Sequence, residues 1–321
     1  MSRIVSLGSA LQDIYLIDRD DFGTIEYGNK SIFKDLEIGS KYDMDKIDFF
    51  IGGGGTNSAV TFAKSGHEAI YIGNIAHDPA GEAILKALDE ADVDTSYIYF
   101  PPKAKTGCSI ILLDSKTGER TVLTFRGASA KFQNLNPNDL EQINPDWLYT
   151  TTLRGDMGTI LAFFEKTKEL DAKIMFNPGE LELKNPKQVL GLLSEVDVLL
   201  INKHEAALLV GGTLLAEQLK KLKYYCKTVI ITDGSMGGIA TNGEKTYRFG
   251  IYEDVKIKDT TGAGDAFGSG FLAALSAGWT FKNSLIFASA NSTSVVQHLG
   301  AKNGIISINK KIHPMPIQLI K

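Results

Sequence analysis

Apolar positions along the chain fall into two textures. In the first, short apolar runs give way to stretches with helical spacing. Residues 4–7 read as a short buried strand that stops at Gly8, residues 56–64 carry helical spacing, and residues 69–72 are again a strand. Asp78 before Pro79 marks a helix start, with Asp as N-cap and Pro in the first turn, for a helix running to about Glu90. From Trp147 the alternation is regular. Strands are predicted at 147–151, 173–176, 197–201 and 228–232, with helices at 157–170, 186–194, 204–210 and 214–225. Two long helices follow at 263–277 and 281–297. The strands are unbroken apolar runs, the pattern of a parallel sheet buried on both faces. Repeated strand–helix units predict an α/β core of three layers with a mostly parallel central sheet.

The second texture occupies residues 12–51 and 97–127. There, short β-like pieces (14–17, 31–33, 49–51, 108–113, 120–125) alternate with Gly and Asp turns, including one at 115–118. These two insertions predict one small β-sheet, a lid assembled from separate parts of the chain over a single core domain spanning 1–321. No internal repeat or low-complexity tract is visible. The mildly basic tail around Lys310, Lys311 and His313 reads as solvated.

Composition narrows the function class. Lys and Arg total 34 against 38 Asp and Glu, a net charge of −4, so no basic nucleic-acid surface is expected. Two cysteines, Cys108 and Cys226, make neither a disulfide framework nor a metal motif. No apolar run is long enough to span a membrane, and the N-terminus lacks a signal-type apolar region, so a cytoplasmic location is expected. Glycine is the outlier. There are 32 in 321 residues, above the usual share of about 7%, with only 9 prolines. The surplus is either turn punctuation or backbone placed to approach a ligand.

The chain carries neither a Walker loop nor a G-x-G-x-x-G after its first strand. Its strongest local signal is Asp259-Thr260-Thr261-Gly262-Ala263-Gly264-Asp265. Small residues at a helix start expose backbone N–H groups as an anion hole. Asp265 beside that hole can take a proton from an attacking hydroxyl. Alone, an Asp there answers the helix dipole and nothing more. Gly52-Gly53-Gly54-Gly55-Thr56-Asn57 allows a ligand to touch main chain, with Asn57 presenting an amide, or else forms a flexible hinge. Asn202 and Glu205 at a strand-to-helix junction face one way, which suits a metal–phosphate site or an ordinary helix start. His204 reads as surface. Thr232-Asp233-Gly234-Ser235-Met236-Gly237-Gly238, after another strand, reads alone as a hairpin or strand-to-strand turn.

Together and in this order, these pieces resemble the ribokinase-like (pfkB) carbohydrate kinase family over nearly the whole chain. Gly52, Gly53 and Asn57 resemble its G-G-x-x-x-N signature, and Gly73, Asp78 and Gly81 its G-x-x-x-x-D-x-x-G stretch. Asn202 and Glu205 resemble N-x-x-E, Thr232 and Gly234 resemble T-x-G, and 259–265 resembles the second signature. The resemblance implies ATP-dependent phosphorylation of a primary hydroxyl on a small sugar or sugar derivative, or on a nucleoside. It implies Asp265 as catalytic base, with Gly262, Ala263 and Gly264 as the anion hole. Asp13, Gly53 and Asn57 would bind the acceptor, with Gly237 and Asn291 added to the ATP side. Asn202 and Glu205 would organise Mg²⁺ indirectly, and Asp259 and Thr261 a monovalent cation such as K⁺. Arg126 is similar to the lid arginine of fructokinases and 2-keto-3-deoxygluconate kinases, and the resemblance implies that Arg126 and Arg154 reach a sugar, a carboxylate or a phosphate of the acceptor. The glutamate that binds pentose in ribokinases is missing from 151–156, which favours a ketohexose or sugar acid over ribose. Phe176-Asn177-Pro178-Gly179 resembles archaeal nucleoside kinases, keeping a nucleoside as the alternative. A non-catalytic sensor with a kinase fold is the remaining one. Homodimerisation through open lid edges is a further implication of the family.

Overall fold

The computed structural model describes residues 1–18, 24–27, 30–33, 39, 41, 43–44, 46–114 and 120–320. The turn expected at 115–118 lies outside the described residues.

The large sheet runs in the order 317–319, 246–249, 238–241, 228–232, 198–202, 173–176, 147–150, 3–7, 68–74, 93–94. From Thr228–Thr232 to the far edge every pairing is parallel. The apolar runs explain this arrangement. Ile4 packs into the core on one face of the sheet while Val5 and Leu7 pack into the core on the other. Helices Gly54–Lys64, Pro79–Asp89, Ala263–Ser276 and Phe281–Val295 cover the first face. Helices Met157–Glu169, Pro186–Leu192, Lys203–Val210 and Leu215–Leu222 cover the second. Asp78 caps its helix as expected, accepting from Gly81 N at 2.9 Å, and its other oxygen accepts from Thr106 N at 2.8 Å.

The hairpin or strand-to-strand turn expected after Thr232 opens an antiparallel end of this sheet, whose further strands the sequence did not mark. Gly238–Thr241 turns back on Thr228–Thr232, Thr246–Phe249 follows, and Ile317–Leu319 closes the edge. Lys310, Lys311 and His313 are exposed, but the tail beyond them docks as a strand with Met315 buried.

A second sheet contains Arg120–Phe125, Gly107–Asp114, Leu11–Asp18 and Lys46–Gly52, in that order. Thr24–Tyr27 and Lys30–Phe33 form a separate hairpin, and Ile98–Tyr99 pairs with Gly73–Asn74 of the large sheet. Register gives the small sheet two distinct faces, because neighbouring residues point to opposite sides. Asp13 stands beside Ser109, and Ser109 beside Thr124. The opposite face lines up Phe49, Ile14, Ile110 and Leu123 in one row. The Asp13 face, which also carries the buried cluster of Tyr15, Ile17, Ile111 and Leu113, turns its polar end toward the carboxyl ends of the large sheet's strands, where ligands of open α/β sheets bind.

Candidate active site

Two helices begin side by side at that crevice. The Gly54–Lys64 helix starts directly after Gly52 and Gly53. A Cβ on Gly52 would fall 1.9 Å from Asp13 Oδ2, and Gly53 has φ 96° with Ser9 O 2.4 Å from where its Cβ would be. The glycine run is therefore a close-packed crossing over the first loop, not the loose hinge the sequence allowed. The Ala263–Ser276 helix starts at Gly262, in the left-handed region at φ 79°, where a Cβ would meet Ala301 at 2.4 Å. A Cβ on Gly264 would meet nothing within 4 Å.

Asn57 Nδ2 donates to Asp265 Oδ2 at 2.8 Å. Its Oδ1 accepts from Lys302 Nζ at 2.7 Å. Each end of the Asn57 amide thus holds one fixed partner, and the second Nδ2 hydrogen remains for an acceptor hydroxyl in the adjoining space. Burial raises the pKa of Asp265, opposed by the Asn57 hydrogen bond and the Lys302 charge. Burial also pushes Asp13 up to about 6, opposed by a hydrogen bond from Ser109 and by Lys302 and Arg126. Both carboxyls titrate above the ordinary range because little water reaches them.

One cavity of about 340 Å³ brings together Asp13, Gly53, Asn57, Arg126, Glu205, Thr261, Gly262 and Asp265. A second, of about 120 Å³, is lined by Thr232, Gly234, Gly237, Ala263, Gly264, Phe267 and Ser292, among others. Asp265 and the start of its helix stand between the two. A larger cavity of about 860 Å³ lies at the opposite end of the strands, around Trp147, Lys173 and Thr228, and touches none of these residues.

Several expectations need correction. Asn291 does not line the second cavity. It is fully buried, donating to Ala266 O at 2.8 Å and accepting from Ile306 N at 3.0 Å, because its position on Phe281–Val295 faces the neighbouring helix. Ser289, Ser292 and Thr293 from the same helix reach the cavity instead. Asn202 and Glu205 form a reciprocal helix cap, with Glu205 N donating to Asn202 Oδ1 at 2.9 Å and Asn202 N to Glu205 Oε2 at 2.8 Å. Glu205 still lines the first cavity, and burial raises its pKa. Asn202 and His204 are exposed.

Asp259 is fully buried. Its Oδ1 accepts from Thr261 N at 2.8 Å, and its Oδ2 from Tyr15 Oη at 2.5 Å and Gly300 N at 3.1 Å. Arg120 Nε stands 3.9 Å from Oδ1, and Arg120 Nη1 donates to Thr260 Oγ1. Three donors hold the carboxylate and a guanidinium stands nearby, so Asp259 anchors this loop and the protein itself balances its charge, while no donor reaches the Thr261 carbonyl among these contacts. Among the described residues no cluster of His, Cys, Asp and Glu could hold a metal by itself, and no helix is long and apolar enough to cross a membrane.

Arg126 and Arg154 lie near enough that the Arg154 charge lowers the Arg126 pKa, after burial as the larger cause. Among the described residues neither forms an ion pair. Arg154 has φ 60°. Its loop is held by Glu182, a fully buried carboxylate accepting from Leu153 N, Gly155 N (both 2.8 Å) and Gly179 N (2.9 Å). Lys302, Arg120 and Glu182 were not found from sequence, since nothing local to each marks a partner hundreds or tens of residues away.

A family model described as pfkB family carbohydrate kinase matches residues 1–308. A ribokinase of Staphylococcus aureus is 30% identical over 268 residues, covering 80% of this chain and 85% of that one. An ATP-dependent 6-phosphofructokinase of Thermoanaerobacterium thermosaccharolyticum is 27% identical over 278 residues, covering 83% and 84%. The structure of Arabidopsis thaliana ribokinase complexed with ribose and ATP superposes with a TM-score of 0.79 at 25% identity, covering 95% of this chain and 96% of that one.

The Asp259 arrangement generates a prediction. Phosphorylation rates in potassium chloride and in tetramethylammonium chloride at equal ionic strength will match. A severalfold activation by potassium would show that the carboxylate is available to a cation after all.

Proposed function

The chain belongs to the pfkB family of carbohydrate kinases, and on that premise we propose that it transfers the γ-phosphoryl group of ATP to a primary hydroxyl of a small anionic sugar derivative, a sugar acid or a ketohexose phosphate. Kinase activity comes with the family. The observation that carries the site assignment is Asp265, tethered by Asn57 and placed between the two cavities.

The acceptor occupies the cavity under the small sheet, with Asp13 taking hydrogen bonds from its hydroxyls. Asp265 removes the proton of the attacking hydroxyl. N–H groups at the start of the Ala263–Ser276 helix, Gly264 among them, hold the charge of the transferring group. The nucleotide lies along Thr232, Gly234 and Gly237. Magnesium arriving with ATP would neutralise its phosphates. Glu205 would hold that ion through water, which suits an ion that keeps most of its waters and phosphate ligands. The small sheet acts as a lid, and the acceptor beneath it is shielded from water, which limits ATP hydrolysis.

Support for an anionic group comes from Arg126, which lines the acceptor cavity, with Arg154 close to it but outside that lining. The two guanidiniums, both half-buried, repel each other, and an anionic group on the acceptor relieves that repulsion. The name of the Thermoanaerobacterium relative, ATP-dependent 6-phosphofructokinase, is in keeping with a phosphorylated acceptor. The outer face of the small sheet, with Phe49, Ile110 and Leu123 exposed in one row, is in our reading covered by a second copy of the chain.

Five outcomes are expected. Asp265→Asn folds as the wild type but lowers kcat by roughly a hundred- to ten-thousandfold. In the wild type, the acid limb of kcat/KM lies above the ordinary carboxylate range, because Asp265 must be ionised and burial raises its pKa. Full activity in the Asn variant would sink the assignment. In a coupled ATP-consumption screen, sugar acids and sugar phosphates are turned over ahead of neutral sugars and of adenosine, guanosine, inosine and cytidine. Arg126→Ala raises KM for the anionic acceptor by roughly ten- to hundredfold. A nucleoside as best substrate would point to the nucleoside-kinase reading. Light scattering gives a dimer mass that Leu123→Glu reduces, and a monomeric wild type would refute the covered face.

A further inference from the structure

Lys302 follows Gly300 and Ala301 in the turn after the last long helix. Its Nζ donates to Ile51 O at 2.7 Å, Thr56 Oγ1 at 2.9 Å and Asn57 Oδ1 at 2.7 Å. An ammonium has three donors and no acceptor, so these bonds use its whole capacity. All three acceptors belong to one short segment, where the small sheet's Lys46–Gly52 strand runs into the Gly54–Lys64 helix. The ammonium also settles which way the Asn57 amide faces. A flipped amide would set its NH₂ against the ammonium and its oxygen against the Asp265 carboxylate, two repulsive contacts in place of two hydrogen bonds. With the oxygen turned to Lys302, the amide NH₂ must face Asp265 Oδ2.

We propose that Lys302 is a positioning residue for phosphoryl transfer: by orienting the Asn57 amide it occupies Asp265 Oδ2 and leaves Oδ1 as the oxygen that meets the acceptor hydroxyl. The proposal rests on Asp265 being the base. Asp265 Oδ1 lies 3.2 Å from where a Gly54 Cβ would stand, so the missing side chain at Gly54 keeps that oxygen accessible. The charged groups around the ammonium come from several elements. Asp13 belongs to the small sheet, Asp265 to its own helix and Lys64 to the end of the Gly54–Lys64 helix. Glu90 lines the crevice behind Lys302, and the Tyr149 hydroxyl of the central sheet faces Asp265. Burial lowers the Lys302 pKa, while Asp13 and Asp265 hold it up.

The test compares Lys302→Met and Lys302→Gln with the wild type, using kcat, KM for each substrate and the pH profile of kcat/KM. Lys302→Met is expected to lower kcat by about ten- to hundredfold, the scale of a catalytic group displaced by an ångström or less, with little change in KM for ATP. Its acid limb moves to higher pH, because loss of a nearby positive charge makes the carboxylate harder to ionise. Lys302→Gln keeps a donor for Asn57 and recovers much of kcat, while its acid limb stays shifted. A folded Lys302→Met enzyme with wild-type kcat and acid limb overturns the proposal, even if its melting temperature falls. Should Lys302→Met fail to fold, Lys302→Gln decides by the same limb. Loss of activity in Asp265→Asn alongside unchanged Lys302 variants removes only this inference. Retained activity in Asp265→Asn removes the base assignment beneath it.

Discussion

One hydrogen bond, from Asn57 Nδ2 to Asp265 Oδ2, joins the starts of two helices 208 residues apart in sequence. For it to form, both helices must begin at the same end of the central sheet, with their first turns nearly in contact. The glycines on either side follow from that requirement. Gly52 and Gly53 let the chain cross over Asp13 and Ser9, and Gly262 turns against Ala301. Side chains at those points would push the helix starts apart and break the bond. The larger cavity on one side and the smaller one on the other are the spaces left over once the two starts have met.

The dryness of this junction is also what gives its carboxyls chemical use. Asp13 and Asp265 titrate high because burial disfavours their charge. Lys302 limits that rise, standing close enough to both to favour ionisation. The junction is therefore balanced between a carboxyl too protonated to accept a proton and one too stable as an anion to want it. Asp259, nearby but tied to Tyr15, Gly300 and Thr261, is taken up with holding the loop in place. Two aspartates six residues apart thus end in different roles, set by what surrounds each of them.

Much of the scaffold was legible in the sequence because it rests on local rules. The apolar run predicted as a strand at 197–201 is found at Val198–Asn202, Asp78 and Pro79 announced a helix start, and the spacing of 259–265 put Asp265 at a helix N-terminus. What escaped depends on closure between distant segments. Gly238–Thr241 and Thr246–Phe249 are too short and mixed to declare themselves without the edge they extend. Asn291 has the residue type of a ligand contact, but its position on the helix turns it toward Ala266 and Ile306. Lys302 sits in a Gly-Ala-Lys-Asn-Gly stretch that reads as exposed turn, and only the folded chain shows it enclosed by Ile51, Thr56 and Asn57. Glu182 likewise gains meaning only where the Thr152–Gly155 and Gly179 backbones converge on it.

The Arg120–Phe125 strand has a consequence for how such a protein can change. Its even-numbered residues Arg120, Val122 and Thr124, and Arg126 after them, line the cavity, while Leu123 and Phe125 are exposed on the other side. Parity along a six-residue edge strand therefore separates two heritable traits. A substitution at an even position alters what the pocket admits, and one at an odd position alters what the surface sticks to. Because the strand is at the sheet's edge, no further strand has to be repacked for either change. Choice of substrate and choice of neighbour can drift independently within the same few codons.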